Sequence, residues 1–251
     1  MWIDRVAPPA ARMVQGLISF IYPPSCAGCA LPLSADLEDG FCPDCEQAID
    51  WVRPPYCPAC GIPNSRAAPN PHLCGDCLTG TYHFDRARTK GLYRGLLREV
   101  IHRFKYQGQI FLVRPLAQML AEPGRNLARL HKVELIVPVP LHRRRLRQRG
   151  FNQAALLARG LGSVLGISVD YSSLKRSRWT EPQTGLSRRQ RAANVQGAFD
   201  LIRPEKVQRK CVLLLDDVLT TGETVNQCAR ALKSGGASEV LVLTVARTVA
   251  T

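Results

Sequence analysis

Paired cysteines fill the first third of the chain and constrain its fold more than any other feature. Eight cysteines fall as four C-x-x-C pairs, separated by twelve, eleven and thirteen residues. Two residues between thiolates let both sulfurs of a tight turn face one ion, and two such turns complete the tetrahedral four-sulfur shell of structural zinc. The spacing therefore predicts two zinc sites. Their ligands are Cys26, Cys29, Cys42, Cys45, Cys57, Cys60, Cys74 and Cys77.

The four pairs also form an internal repeat. CAGCALP at Cys26 resembles CPACGIP at Cys57, and FCPDC around Cys42 resembles LCGDC around Cys74. A tandem duplication favours two ribbons in series, each binding one zinc ion with its own four cysteines. A crossed arrangement, first pair with third, stays open because spacing does not fix connectivity.

Both sites are interpreted as structural, because closed four-thiolate sites leave no open position for catalysis. Segments below about 70–80 residues generally need a bound metal ion or a disulfide to fold. An iron–sulfur cluster also uses four cysteines, but paired knuckles a dozen residues apart fit a zinc ribbon better. His72 and His83 lie outside the repeat and are not expected to be ligands. Cys211 and Cys228 sit within apolar patterns and are expected to be buried, inert thiols.

Composition and charge narrow the class of partner and the compartment. The 251 residues carry 34 Lys and Arg against 20 Asp and Glu, a net charge of +14, which indicates an anionic partner such as nucleic acid, a phosphorylated metabolite or a membrane surface. Cysteine pairs without a convincing export signal favour the reducing cytoplasm. The apolar stretch from Met13 to Tyr22 is shorter than the ~20 residues that span a bilayer, so a short packed helix is expected there.

The remainder of the chain alternates helical and strand patterns. Apolar residues at helical spacing predict helices over residues 93–106, 112–130 (interrupted near Pro123), 151–165 and 224–234. Short apolar runs predict strands over residues 134–140, 168–174, 210–216 and 239–246. This order favours an open parallel α/β sheet with right-handed crossovers, in which ligands bind beyond the carboxyl ends of the strands.

The strongest chemical signal follows one of these strands. The segment VLLLDDVLTTGET places Asp216 and Asp217 at a strand tip and a Thr-Thr-Gly-x-Thr turn before a helix. Two acids can bind vicinal hydroxyls or hydrated Mg²⁺, and such a turn offers hydroxyl and N–H groups to a phosphate. A sugar phosphate would satisfy both halves. Each residue alone would also fit a strand end or a helix cap, but the combination is far more specific.

This segment resembles the phosphoribosyl pyrophosphate (PRPP) binding motif of type I phosphoribosyltransferases. With the paired cysteines, IVPVPLHRRRLRQRGFNQA and TGLSRRQRAANVQGAF, it makes the chain similar to the ComF family, including the GntX-like proteins, from about Cys26 to Arg247. The resemblance implies an α/β fold: a type I phosphoribosyltransferase-like parallel sheet flanked by helices, with an N-terminal double zinc-ribbon module. It divides the chain into an N-terminal helical segment (1–25), a double zinc ribbon (26–80) and a phosphoribosyltransferase-like domain (85–251).

The resemblance also implies a ligand, PRPP with Mg²⁺, and a role in natural competence, the uptake of DNA into the bacterial cytoplasm, with competence proteins as partners. Asp216 and Asp217 would hold the ribose hydroxyls. The turn that cradles the 5′-phosphate consists of Thr220, Thr221, Gly222 and Thr224. The pyrophosphate loop consists of Leu141, His142, Arg143 and Arg144.

The basic stretch from Lys175 to Arg191 corresponds, by the same resemblance, to a mobile loop that closes over the site. Cleavage of the C1–O bond of PRPP develops positive charge on the ribose and releases pyrophosphate, so transfer requires Mg²⁺, arginines and exclusion of water. Arg176 and Arg178 are the candidate cations of this loop. A solvated basic loop is the alternative.

The segment RRRLRQR carries more positive charge than one pyrophosphate needs. Such a run can bind a polyanion such as single-stranded DNA through phosphate contacts. A charge run is usually a solvated face, but this one follows directly on the predicted pyrophosphate loop, which favours a binding function. Phe151 follows the run and would either stack on a base or join the core. The five arginines are Arg143, Arg144, Arg145, Arg147 and Arg149.

Two functions from different classes fit the sequence. The first is an enzyme that transfers phosphoribosyl from PRPP to a nitrogen nucleophile and releases pyrophosphate. The second is a non-catalytic factor of DNA uptake that holds PRPP, a nucleotide or single-stranded DNA. The complete motif favours PRPP binding, whereas the missing acceptor signature, the zinc ribbons and the arginine run favour the second role.

Overall fold

The computed structural model describes residues 25–33, 40–64, 70–80, 82–180 and 194–249. The predicted N-terminal helical segment lies outside these residues except for Ser25, and so do residues 181–191 of the predicted mobile loop.

Four strands form one parallel sheet. The six strands of the described chain are β1 (Arg86–Leu92), β2 (Leu135–Pro138), β3 (Leu174–Arg176), β4 (Phe199–Leu201), β5 (Cys211–Leu219) and β6 (Glu239–Arg247). The sheet has the order β1-β6-β5-β2 with every pair parallel, and β3 and β4 form a separate antiparallel pair. The predicted parallel α/β architecture is confirmed.

Seven α-helices lie entirely within the described residues and accompany these strands. They are α1 (Pro43–Gln47), α2 (Gly75–Leu78), α3 (Gly95–Tyr106), α4 (Val113–His131), α5 (Arg143–Arg149), α6 (Gln153–Leu165) and α7 (Glu223–Ser234), with 3₁₀ turns at Ile110–Leu112 and Pro204–Lys206. In the part of the chain that the structure describes, no helix combines the length and the apolar character needed to cross a bilayer.

The sheet separates two hydrophobic cores, because successive side chains of a strand point to opposite faces. Along β5, Leu213 and Leu215 belong to the core that α3, α4 and α6 cover. Val212 and Leu214 belong to the core that α7 and the β3–β4 pair cover. All four side chains are fully buried, and burial of each contributes about 1.5–3 kcal/mol. The first half of β5 is thereby fixed between two packed layers, and it leads directly into Asp216 and Asp217.

The cysteine-rich module closes the β1 edge of the sheet. The Ala87 N–H donates to the Ala59 carbonyl at 2.7 Å, and the Val52 N–H donates to the Lys90 carbonyl at 3.0 Å. A sheet edge left open exposes unpaired backbone groups to other chains, so this cover protects it.

The two ribbons lie against different cores. Ala27 and Phe41 of the first ribbon pack with the core of α3, α4 and α6. Cys57 and Cys60 of the second ribbon pack with the core of α7. Ribbons and sheet are therefore parts of one packed body, with one ribbon on each side of the sheet edge.

Several elements differ from the sequence-based expectations. Helix α4 continues through Pro123, because its buried leucines, Leu116 and Leu120 among them, outweigh the ~3 kcal/mol that an internal proline costs. The strand predicted over residues 168–174 is wrong: Val169 forms a single bridge to Ile136 and is followed by a turn. Strand β5 runs to Leu219, so both aspartates of the motif lie inside the strand rather than beyond its tip.

Candidate metal centres and phosphate-binding site

The eight paired cysteines form two compact clusters. In each cluster the four sulfurs lie within 4.8 Å of one another. A tetrahedral shell with Zn–S bonds of about 2.3 Å places sulfurs about 3.8 Å apart, and the Cys29–Cys42 and Cys60–Cys74 sulfur pairs lie at 3.8 and 3.6 Å. The clusters are Cys26, Cys29, Cys42 and Cys45, and Cys57, Cys60, Cys74 and Cys77. The predicted tandem zinc sites are confirmed, and the crossed arrangement is excluded.

Backbone donors and mutual repulsion explain why these clusters need a cation. The N–H groups of Gly28 and Cys42 donate to the Cys26 sulfur at 3.3 and 3.2 Å. Burial opposes ionisation of Cys26, but the backbone hydrogen bonds outweigh burial and lower its pKa to about 6. Burial and the neighbouring sulfurs raise the pKa of Cys45 to about 12. Four thiolates can coexist only when a bound cation such as Zn²⁺ neutralises them.

Three other residues with possible ligand atoms, His72, Cys211 and Cys228, lie outside the two sulfur clusters. His72 is hydrogen-bonded to the Asn64 side chain at 3.2 Å and is not part of either sulfur cluster. Cys211 and Cys228 are buried, as the apolar patterns predict. Burial is also the main cause that raises the pKa of both thiols, to about 12 for Cys211, which keeps them protonated and unreactive.

Asp216 and Asp217 are both buried in the second half of β5. Since they are neighbours on a strand, their side chains leave the sheet on opposite faces. Asp217 Oδ1 forms an ion pair with Nζ of Lys105, on α3, at 2.9 Å. Asp216 interacts electrostatically with Arg176 and Cys228 on the other face, and its Oδ1 accepts from the Asp217 N–H at 2.9 Å.

Burial and neighbouring charges shift the pKa values of Asp216 and of Lys105. Burial first, and then the carboxylate of Asp217, raise the pKa of Asp216 to about 7. Burial disfavours the ammonium of Lys105, but attraction to Asp217 outweighs it and raises the pKa of Lys105. Lys105 therefore remains charged and supplies the cation that Asp217 needs. No sequence pattern identifies Lys105, because its partner lies more than a hundred positions away in the chain.

The threonine-rich turn joins β5 to α7. Gly222 forms the N-cap of α7 in the left-handed region, at φ 84°, where glycine carries no steric penalty. Thr220, Thr221 and Thr224 are all partly buried around it. Two buried polar atoms here, Asp217 Oδ2 and Thr221 Oγ1, have no hydrogen-bond partner within the described residues. Buried polar atoms are nearly always paired, so these two are candidate ligand contacts.

The predicted pyrophosphate loop is mostly the first turn of a helix. Leu141 and His142 precede α5, and Nδ1 of His142 accepts from the Arg144 N–H at 3.2 Å as the N-cap. Arg143 and Arg144 are exposed. The Val139 N–H donates to the carbonyl of Leu215 on β5 at 2.9 Å, which brings the start of this segment beside the aspartates.

Two aromatic rings flank the arginine helix α5. The Trp179 ring centroid lies 4.7 Å from Cζ of Arg144 and 6.0 Å from Cζ of Arg145. At the other end, Cζ of Arg149 lies 5.0 Å from the ring centroid of Tyr106, a residue that is 64% exposed. No sequence motif marks either ring, although Trp179 stands within a basic stretch.

The two predicted loop cations are already engaged. Arg176 stacks on the Phe199 ring at 5.3 Å and donates to the Thr180 hydroxyl, and burial lowers the pKa of its guanidinium. Arg178 donates to the carbonyls of Asn194 and Gln196 at 3.0 and 2.6 Å. Arg176 lies near Asp216, whereas Arg178 braces the two ends of the segment between residues 180 and 194.

Two cavities lie away from the motif. One of about 450 Å³ lies between β4 and α7, lined by Leu201, Arg230 and Gly235 among others. The other, of about 310 Å³, lies between the first ribbon and α4, beside Trp51 and Met119. Neither cavity includes the aspartates or the threonine turn.

Comparison with known proteins assigns the family. A double zinc ribbon domain family matches residues 17–78. The chain is 37% identical to Competence protein F of Haemophilus influenzae, over 69% of this chain and 78% of that protein. The chain belongs to the ComF family. It is also 35% identical to the DNA utilization protein YhgH of Salmonella typhi, over 90% of this chain and 98% of that protein.

Two further similarities to this ComF-family chain are weaker. Competence protein ComFC of Streptococcus pneumoniae is 27% identical over 62% of this chain and 65% of that protein. A purine phosphoribosyltransferase from Pyrococcus horikoshii is similar in structure over 55% of this chain and 86% of that chain, with 17% identity and a TM-score of 0.35. A likeness at that score carries no functional argument, and the family assignment depends on the sequence relatives.

Proposed function

We propose that this ComF-family protein binds PRPP with Mg²⁺ beside the carboxyl half of β5. The observation that carries the proposal is the pair of buried, unpartnered atoms Asp217 Oδ2 and Thr221 Oγ1, one from each half of the motif. Ligands of open parallel sheets bind at the carboxyl ends of the strands, where these two atoms lie. PRPP offers ribose hydroxyls to a carboxylate and a 5′-phosphate to a helix N-terminal turn.

Each half of the motif has a role in this proposal. Asp216 and Asp217 would hold the ribose hydroxyls and would offer carboxylate oxygens to Mg²⁺, which would neutralise charge on the pyrophosphate. A cation beside Asp216 favours its ionised form and lowers its raised pKa, so the ligand complex relieves the charge penalty of the ligand-free protein. The 5′-phosphate accepts hydrogen bonds from Thr220, Thr221, Gly222 and Thr224.

The arginines have proposed roles around the leaving group. Leu141, His142, Arg143 and Arg144 contact the pyrophosphate. Arg176 and Arg178 stay the candidate cations of the closing loop. In this arrangement their guanidinium groups also contact Phe199 and the carbonyls of residues 194 and 196.

Ligand-dependent stability tests the binding proposal. With PRPP and Mg²⁺ at roughly 100 times Kd, unfolding should cost about 2.7 kcal/mol more than without ligand. Asp217→Asn and Thr221→Val should lose this stabilisation, because the first removes the carboxylate charge and the second removes the unpartnered hydroxyl. Asp200→Asn, an exposed aspartate on β4, is the matched control and should keep it. A wild-type protein that PRPP and Mg²⁺ do not stabilise would refute the proposal.

Pyrophosphate release separates transfer from binding. A transferase releases pyrophosphate from PRPP in the presence of a nitrogen nucleophile, and a binding factor does not. The assay uses a panel of bases and amines with the protein saturated by PRPP. Release that depends on one acceptor and on Asp217 assigns an enzyme, and stabilisation without release assigns a binding factor.

We also propose a second function, binding of single-stranded DNA on the surface of α5. Five arginines between the rings of Trp179 and Tyr106 combine phosphate contacts with platforms on which bases stack. Relatives carry the names Competence protein F and DNA utilization protein, which supports a role in DNA uptake together with other competence proteins. Reduced zinc-binding cysteines favour the cytoplasm as the place of action.

A further inference from the structure

The linker of residues 82–85, which follows the second ribbon, contacts the threonine turn. The Tyr82 hydroxyl donates to the Thr221 carbonyl at 3.3 Å. The Tyr82 ring also lies against Gly222, where an added Cβ would be 3.1 Å from Cε1 of the ring. Phe84 stacks under Tyr82 with ring centroids 4.7 Å apart. The main chain of the turn therefore rests on a pair of stacked aromatic rings.

The same linker is fastened to the first turn of α7 and to β6. The His83 N–H donates to Oδ1 of Asn226 at 2.6 Å, and the Asn226 N–H donates to the Gly222 carbonyl at 2.8 Å. Asp85 exchanges two hydrogen bonds with Val240 on β6, at 2.9 and 2.7 Å. Displacing Tyr82 from the turn thus requires breaking contacts on both sides of it.

The second zinc ribbon holds the sheet beside the other end of the turn. The buried Arg247 donates to the Cys60 carbonyl at 2.7 Å. Arg247 ends β6 and pairs with Leu219, the residue before Thr220. The first ribbon contacts a different part of the domain: its Gly28 carbonyl accepts a hydrogen bond from Arg103 on α3 at 3.0 Å.

We propose that Tyr82 is a positioning residue for the 5′-phosphate turn, and that the second zinc ribbon, rather than the first, keeps this turn ordered. A carbonyl oxygen that pointed at a phosphate would repel it. By accepting from Tyr82, the Thr221 carbonyl is held toward the linker, while the Thr221 hydroxyl stays without a partner for the ligand. This inference rests on the proposed binding of PRPP.

A ligand-free measurement separates the two proposals. Amide hydrogen exchange of residues 220–226 is measured on the full chain for wild type, Tyr82→Phe, Tyr82→Ala and the control Tyr171→Ala, an exposed tyrosine. Tyr82→Ala should speed exchange in the turn roughly tenfold or more, and Tyr82→Phe, which keeps the ring, roughly threefold to tenfold. The control should leave exchange unchanged. Wild-type exchange rates in Tyr82→Ala would overturn the inference.

Affinity for PRPP is the second readout. Calorimetry with Mg²⁺ should show weaker binding in the same order, Tyr82→Ala more than Tyr82→Phe, with Tyr171→Ala at the wild-type value. Absence of binding to wild type refutes the proposed function while exchange in the turn still decides the role of Tyr82. Wild-type affinity in Tyr82→Ala, with a wild type that binds, refutes the positioning role alone.

Single-ribbon variants test the choice between ribbons. Cys29→Ser and Cys74→Ser each remove one ligand from one cluster, and metal content verifies that each variant has lost one zinc ion. Only Cys74→Ser should speed exchange in residues 220–226. Equal increases in both variants would refute the assignment to the second ribbon. If either cysteine variant fails to fold, the Tyr82 variants still test the positioning role of Tyr82.

Discussion

At the residue scale, the buried charge of Asp216 makes stability depend on pH. Its folded pKa of about 7 lies above its unfolded value of about 3.9, so its contribution is complete at low pH and is lost as pH rises through 7. Asp216→Asn removes the penalty. Its stability relative to wild type should increase by about 2 kcal/mol between about pH 5.5 and about pH 8. Urea unfolding measures this, and a difference that is constant with pH would contradict it.

The same substitution separates stability from function. Because Asp216 is a proposed ligand for ribose and Mg²⁺, Asp216→Asn should be more stable at pH 8 and yet bind PRPP more weakly. Asp200→Asn is the matched control, since its exposed carboxyl should change neither quantity. Strongly perturbed pKa values are concentrated at functional sites, so the raised pKa of Asp216 supports a functional role.

The ion pair between Lys105 and Asp217 gives a second residue-scale prediction. Lys105→Met leaves a buried carboxylate without its cation and should cost about 3 kcal/mol of unfolding free energy. Adding Asp217→Asn should restore part of that loss, because no unpaired charge remains. The exposed pair of Lys90 and Glu122 is the control, where Glu122→Gln should cost less than about 1 kcal/mol. Strictly additive losses at Lys105 and Asp217 would show that the pair is not coupled.

At the scale of elements, helix α5 should govern DNA binding if the second function is correct. Each phosphate contact to a single strand contributes about −0.7 to the slope of log affinity against log salt. Replacing the five arginines of α5 by glutamine should flatten the slope, whereas Arg125→Gln with Arg129→Gln, exposed positions on α4, should not. Fluorescence anisotropy over a salt series measures the slope, and equal slopes in the α5 variant and wild type would refute the claim.

Trp179 should act on the same surface in a different way. Stacking of a base is not ionic, so Trp179→Ala should weaken single-strand binding by about 1–3 kcal/mol and leave the salt slope unchanged. A reduced slope in Trp179→Ala would mean that the ring acts only by holding Arg144 and Arg145 in place.

The elements that sequence reasoning found are those with large apolar residues at regular spacing. Helices α3, α6 and α7 and strands β5 and β6 follow from that pattern, with ends displaced by a few residues. The pattern of large apolar residues does not reveal strand β1, because its buried positions carry the small residues Ala87, Thr89 and Gly91. A Cβ at position 91 would lie 2.5 Å from Leu97, so the neighbouring helix and ribbon leave no room for the side chains that mark a strand.

Helix α5 and the long-range contacts of the site could not be predicted from the sequence alone. The arginine run has no apolar periodicity, and it forms a helix because His142 caps one end and Gly150, at φ 84°, ends the other. The motif itself identified Asp216 and Asp217. Their partner Lys105 and the linker residue Tyr82 become visible only when the fold brings distant segments together.

At the scale of the whole molecule, ribbons and sheet share both hydrophobic cores, so zinc should stabilise more than the cysteine-rich segment. Metal analysis should find two zinc ions per chain, one for each sulfur cluster. Removal of zinc by a chelator should lower the melting temperature of the entire domain in a single transition, since structural zinc binding is folding free energy. An unchanged transition of the sheet would show that the ribbons fold separately.

Hydrogen exchange can locate how far the loss of zinc reaches. The Ala87 and Leu92 N–H groups of β1 donate to ribbon carbonyls, of Ala59 at 2.7 Å and of Asp50 at 2.8 Å. These two amides should lose protection when zinc is chelated under conditions in which the sheet remains folded. Amides of β2, at the opposite edge, should keep theirs, because their neighbours are β5 and the segment at Val169. Equal loss at both edges would indicate global unfolding, and no loss at β1 would mean that the ribbons hold their fold without metal.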